Sequence, residues 1–200
     1  MNALISAQDI LKAMTKKSYA VLEDDSKPFH LNIVGVRSAY DKVNAFDDVI
    51  CVFWKYKGGW SLIKSVATTD PGLYWMNNPE RIEGTAIFKP QQVVGMWAKG
   101  FHKGDPNRPA LVQVQPCVVY RDANKDNKHD FGGNEQKGLF GINLHSANAV
   151  NESIQVDKWS AGCQVNANPE EHKLAMWLAD QHIKNWGNSF NYALLNEGDL

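Results

Sequence analysis

Cys163 follows Ser160-Ala161-Gly162, and His145-Ser146 stands 163 − 145 = 18 residues earlier. A thiol is a good nucleophile only as the thiolate, and a nearby imidazole is its usual activator. The pair points to acyl transfer, with the sulfur attacking a carbonyl and the ring taking the thiol proton. Small residues at Ala161 and Gly162 leave room for a substrate beside the sulfur. They also let the Gly162 and Cys163 backbone N–H groups approach an oxyanion. A cysteine is more often a small core residue, and Cys51 and Cys117, in apolar runs, read that way. Cys163 lies in a Ser/Ala/Gly setting and reads as a nucleophile. A catalytic Cys163 should then react with iodoacetamide below the ordinary thiol pKa of about 8.5. Trp159 either packs beneath the site or borders the substrate. His102, in Phe101-His102-Lys103-Gly104, could line the cleft, although a surface-loop position is the plainer expectation.

A second group of polar residues runs from Asp122 to Asp130. Asp122, Asn124, Asp126 and Asp130 occupy positions 1, 3, 5 and 9 of a loop, as in a calcium loop of the EF-hand type. Position 6 is Asn127 and position 12 is Gly133, so the usual glycine and bidentate glutamate are missing. The alternatives are a structural calcium site and a polar turn held by Asx hydrogen bonds. Zinc is not expected, because Cys163 and His145 supply two ligands and no third has suitable local spacing. No cofactor is required.

The elements that must position these residues are mainly strands. Ser6 with Asp9 starts a helix that carries Ile10, Leu11, Ala13 and Met14. The polar stretch Glu23–Pro28 ends this N-terminal segment, and the period then changes to that of strands. Residues 30–36 read as one strand. Residues 49–54 and 60–64 form a hairpin about Lys57-Gly58-Gly59, where Gly-Gly supplies positive φ. Residues 84–88 and 93–97 are further strands, and 110–115 with 117–120 are the clearest pair. Asn168 caps a last helix with Pro169 in its first turn, an apolar stripe of Leu174, Trp177 and Leu178, and a stop at Gly187. The chain therefore reads as one mainly β (α+β) domain over 1–200. The helical segment 1–28 packs on it, with flanking helices at both ends.

Composition narrows the function. Of 200 residues, 44% are hydrophobic and the net charge is -1, so no overall basic field favours nucleic acid. No apolar run is long enough to span a membrane. Met1-Asn2-Ala3-Leu4-Ile5 has no basic n-region and no long apolar h-region, so synthesis in a cytoplasm without a signal peptide is expected. The odd count of 3 cysteines argues for reduced thiols.

Gly141–Ser146 followed by Ser160-Ala161-Gly162-Cys163 resembles the active-site signature of the L,D-transpeptidase (YkuD-like) catalytic domain. The resemblance implies a β-sandwich or barrel fold. It makes Cys163 the nucleophile, His145 the base and Ser146 the residue that orients the ring. It places Gly162 at the catalytic centre, and Ser160 and Ala161 beside the substrate. The family usually has a second histidine where this chain has Ala161, and an Asn or Arg soon after the cysteine where this chain has Gln164-Val165-Asn166. Tyr74-Trp75, Asn78-Pro79, Phe101–Gly104, Ala110–Gln113 and Tyr120-Arg121-Asp122 are similar to a variant of the domain found in phages and in Bacteroidetes-type bacteria.

The implied partners are peptidoglycan stem peptides. The implied activity is a cysteine peptidase that resolves its acyl-enzyme with water, in the manner of a phage endolysin that reaches the wall after release by another factor. The alternatives are an L,D-transpeptidase, in which an amine resolves the same intermediate, and a non-catalytic wall-binding module.

Overall fold

The computed structural model describes residues 5–200. The reading made at Met1–Leu4 lies outside the described residues. The elements, in chain order, are α1 (Ala7–Lys16), β1 (Asn32–Arg37), β2 (Asp48–Tyr56), β3 (Gly59–Thr68), α2 (Leu73–Asn77), β4 (Thr85–Phe88), β5 (Gln92–Phe101), β6 (Pro109–Gln113), β7 (Cys117–Asp122), β8 (Glu135–Gly138), β9 (Leu144–Ser146), β10 (Gln164–Asn166), α3 (Pro169–Trp186) and β11 (Phe190–Asn196). Eight strands close a barrel in the order β1-β11-β5-β6-β9-β10-β3-β2, and β4-β7-β8 form a separate sheet.

Alternation in the barrel strands explains the two cores. On β1, Ile33 joins one cluster while Val34 and Val36 join the other. The second cluster is the floor on which α1 lies through Ile10, Ala13 and Met14. Both faces of β1 are therefore covered, and all six of its residues are buried. Helix α1 starts as its sequence predicts. Ser6 Oγ accepts the Asp9 N–H, and the Asp9 carboxylate accepts the Ser6 N–H. The 57–59 hairpin also forms, with Lys57 and Gly58 carrying the positive φ and Gly59 opening β3.

The structure corrects three expectations. Strands β6 and β7 do not pair. β6 lies between β5 and β9 in the barrel, whereas β7 lies between β4 and β8. Pro116, which lacks an N–H, falls between them where the chain changes sheets. The last helix is not the end of the fold, because β11 follows Gly187 and pairs in parallel with β1. The apolar stripe of α3 is also displaced. Leu174 and Trp177 are 45% and 51% exposed, and Ala175, Met176, Leu178 and Ala179 face the core. Trp177 instead packs edge-on against Phe29.

Candidate active site

Sequence distance between Cys163 and His145 is closed by a parallel strand pair. Short strands β9 and β10 run side by side, with His145 opposite Val165. Cys163 immediately precedes β10, and the Gln164 N–H donates to the Asn143 carbonyl at 2.9 Å to lock the register. Ring nitrogens of His145 and His102 and the Cys163 sulfur all lie within 4.8 Å of one another.

The histidine tautomers follow from their partners. A carbonyl oxygen only accepts, so the 2.8 Å contact of His145 Nδ1 with the Ser146 carbonyl makes Nδ1 the protonated nitrogen. Nε2 then carries a lone pair, is buried, and has no hydrogen-bond partner. Ser146 thus orients the ring through its backbone, while its hydroxyl donates to the Asn148 carbonyl at 2.7 Å.

His102 is 5% exposed, which corrects the surface-loop expectation. Left-handed backbone at Lys103 and Gly104 turns the chain sharply after it, and its own N–H bonds to the Arg108 carbonyl. Its ring lies 3.9 Å from that of His145, centroid to centroid. The Asn143 side-chain oxygen accepts the Gln113 N–H, so the Asn143 amide group must donate to His102 Nδ1. The His102 proton is therefore on Nε2.

Electrostatics keep this cluster neutral. Burial and the neighbouring His102 hold the His145 pKa well below its ordinary value. Burial, with Arg108 and Lys103 nearby, lowers His102 to about 4. Burial pushes the Cys163 thiol up to about 11, against the Asn143 N–H, Lys103 and Arg108, which favour the thiolate. The resting pair is thus thiol and imidazole rather than an ion pair. A thiol raised in this way is expected to alkylate in the alkaline range, because only the thiolate reacts. Cys51 and Cys117 are buried core thiols, both pushed up to about 12 by burial.

The loop that carries Cys163 depends on its small residues. Gly162 has φ +119°, and a Cβ there would stand 2.5 Å from the Ala86 carbonyl oxygen. Its N–H is held by Ser160 Oγ at 3.1 Å, so of the two expected oxyanion donors only the Cys163 N–H remains. Ser160 is fully buried, and its hydroxyl also donates to the Cys163 carbonyl at 2.8 Å. It braces the loop and does not face substrate, contrary to the expectation from sequence. Ala161 does line the cleft, and Trp159, 37% exposed, stands at its rim rather than beneath it.

That cleft is a cavity of about 400 Å³ containing Cys163, His102, Trp75, Lys103, Arg108 and Lys158. Sequence reasoning assigned no role to Lys103, Arg108 or Lys158. Their common feature is position around the thiol, which no local pattern displays. Trp75 is held there by its indole N–H on the Lys158 carbonyl.

His102 is the third potential zinc ligand that spacing did not reveal, 163 − 102 = 61 residues before Cys163. Only its Nε2 could reach an ion, since Nδ1 is engaged by Asn143, and Nε2 carries the proton. As bonded, the lone pair of His102 Nδ1 is taken by Asn143, which leaves the ring without a free lone pair toward Cys163. The 122–130 loop is held as a polar turn. The Asn124 and Asp126 side-chain oxygens accept N–H groups two residues on, and Asn124 donates to Asp130. Among the described residues, groupings of three potential His, Cys, Asp or Glu ligands fall elsewhere, at His102/His145/Cys163 and Asp41/Asp70/His129.

No protein-family model, curated protein or solved structure matches this chain. No helix among the described residues is long and apolar enough to cross a membrane.

Proposed function

We propose that the protein is a cysteine peptidase that cleaves peptidoglycan stem peptides through an acyl-enzyme on Cys163. One observation carries this reading: a buried His145 Nε2, bare and without a partner, beside the Cys163 sulfur. A buried polar atom left unpaired costs about 1–3 kcal/mol, so one that stands beside a thiol calls for an explanation. At rest the thiol donates to the Gly141 carbonyl at 3.3 Å, and His145 takes its proton as the sulfur leaves that carbonyl to attack. Because the resting pair is neutral, proton transfer and attack occur together once substrate is bound. The Cys163 N–H meets the oxyanion, and His145 passes the thiol proton to the amine as the C–N bond breaks. Water, deprotonated by His145, then attacks the thioester, the acid leaves, and His145 returns that proton to the sulfur. The resemblance of the Cys163 and His145 motifs to the L,D-transpeptidase domain names the substrate class. An endolysin-like role, with release to the wall by another factor, is the biological form of the proposal.

The test is mass spectrometry of defined tetrapeptide and cross-linked muropeptides after incubation with the protein, with Cys163→Ala as control. Products that have gained water, absent with the variant, establish the peptidase and identify the bond. Cross-linked or amine-exchanged products make it an L,D-transpeptidase instead. Unchanged substrates across the panel overturn the enzymatic reading in favour of a wall-binding module.

A further inference from the structure

A second pocket adjoins the cleft and shares Trp75 and Ala161 with it. It is small, about 50 Å³, and predominantly polar, with Arg121, Arg81 and Glu80 in its lining. Arg121 is only 8% exposed. Its Nε donates to the Gln136 side-chain oxygen at 2.9 Å, one terminal nitrogen donates to the Gly84 carbonyl at 3.1 Å, and its plane covers Phe140. The other terminal nitrogen is buried without any partner. Among the described residues, no ion pair includes Arg121.

A guanidinium cannot neutralise itself by losing a proton, so burying it without a counter-ion is costly. Its neighbours do not relieve this. Burial disfavours the charge most, Arg81 opposes it further, and Glu83 favours it without forming an ion pair. Gln136 and the Gly84 carbonyl fix the fork and leave one arm free. The free nitrogen offers charged N–H donors that a carboxylate oxygen accepts.

We propose that the pocket beside Ala161 is a carboxylate-binding subsite in which Arg121 anchors an acidic group of the acyl substrate. The substrate class narrows accordingly to peptides with a free carboxylate near the attacked carbonyl. This rests on Cys163 being the acyl acceptor, because Ala161 couples pocket and thiol.

Binding separates the two claims. The probe is L-alanyl-γ-D-glutamyl-L-lysyl-D-alanine, with each carboxylate converted in turn to the carboxamide, titrated calorimetrically into full-length Cys163→Ala protein. One of the two acids should bind about tenfold or more tightly than its amide, as a charge-assisted bond implies. In Arg121→Gln that preference should fall to near unity. Equal binding of acids and amides overturns the subsite, as does an undiminished preference in Arg121→Gln. If the glutamine variant fails to fold, Arg121→Lys decides, with a reduced preference expected and an unchanged one overturning the assignment. Acid preference without thiol-dependent turnover in the unmodified protein refutes the peptidase and leaves the subsite standing.

Discussion

Two buried polar clusters in this molecule are built on opposite plans. Around Arg37, the buried charges are paired, with Asp70 Oδ1 engaged by the ion pair alone. Arg37 pairs with Asp70 at 2.6 Å and donates to the Phe88 carbonyl at 2.9 Å. His129 places Nδ1 on Asp41 at 2.5 Å and Nε2 on the Pro71 carbonyl at 3.0 Å. Burial alone would lower the His129 pKa, but the Asp41 hydrogen bond, the Asp70 and Asp41 charges and the Pro71 carbonyl outweigh it and raise it to about 9. That ring is a cation with both N–H groups used. Around Cys163, by contrast, His145 Nε2 and one arm of Arg121 have no partner. Groups of the same types are closed into a structural network in one place and left open in the other. Open buried groups are the ones available for chemistry, since a ligand or a transition state can satisfy them.

The strongest way to break this contrast is to remove the open groups that react. Cys163→Ala and His145→Gln should each lower turnover by about a thousandfold or more, in steady-state assays with muropeptides. Each should keep the melting transition close to that of the parent protein. Loss of folding in Cys163→Ala would return Cys163 to the core-residue class.

Removing one half of the closed cluster should act on stability instead. Asp70→Ala leaves Arg37 buried and unpaired, and denaturant titration should register a loss of about 3–5 kcal/mol. Arg121→Gln should lose markedly less, because it removes an unpaired charge along with two hydrogen bonds. Comparable losses for Asp70→Ala and Arg121→Gln would erase the distinction between the clusters. Gly162→Ala tests the loop that packs against Ala86. Positive φ and the Ala86 carbonyl together should cost more than about 2 kcal/mol and reduce turnover as well.

The clusters should also respond to pH with opposite signs. His129 has a folded pKa raised above its ordinary 6.5, so its stabilising contribution is complete below 6.5 and disappears as pH rises through about 9. His145 and His102 are lowered, so the folded state resists protonation that the unfolded chain accepts, and stability falls as pH drops below 6.5. Melting temperatures across this range should therefore decline on both sides, and Asp41→Asn should flatten the alkaline side. The acid limb of kcat/KM should lie below 6.5, because His145 stays neutral there. Iodoacetamide should label Cys163 ahead of Cys51 and Cys117, at a rate that climbs toward about pH 11. The smallest effect belongs to the 122–130 loop. Chelation with EDTA should leave the melting temperature within about a degree, since Asx bonds already hold the turn.

Local signals carried a defined part of this picture. The Ser6/Asp9 capping box, the Asn168-Pro169 helix start, the Gly187 stop and the 57–59 hairpin are interactions between residues a few positions apart, and each was legible in the chain. The Cys163 and His145 motifs were legible because small residues beside a cysteine leave a pattern. Burial of Cys51 and Cys117 followed from their apolar surroundings.

Tertiary structure alone decided the remainder. Residues of β6 and β7 look alike as strands, and only closure of the barrel assigns them to different sheets. The partner of β11 is β1, at the far end of the chain, which no local period encodes. His102 enters the site from the end of β5 by a left-handed turn, and its tautomer is set by Asn143, itself oriented by Gln113. Arg121 is significant only because nothing answers one of its nitrogens. Sequence determines which groups exist and which short-range bonds they prefer. Whether a buried group ends up satisfied or open depends on what the rest of the chain brings within hydrogen-bond distance, and that is a property of the folded molecule.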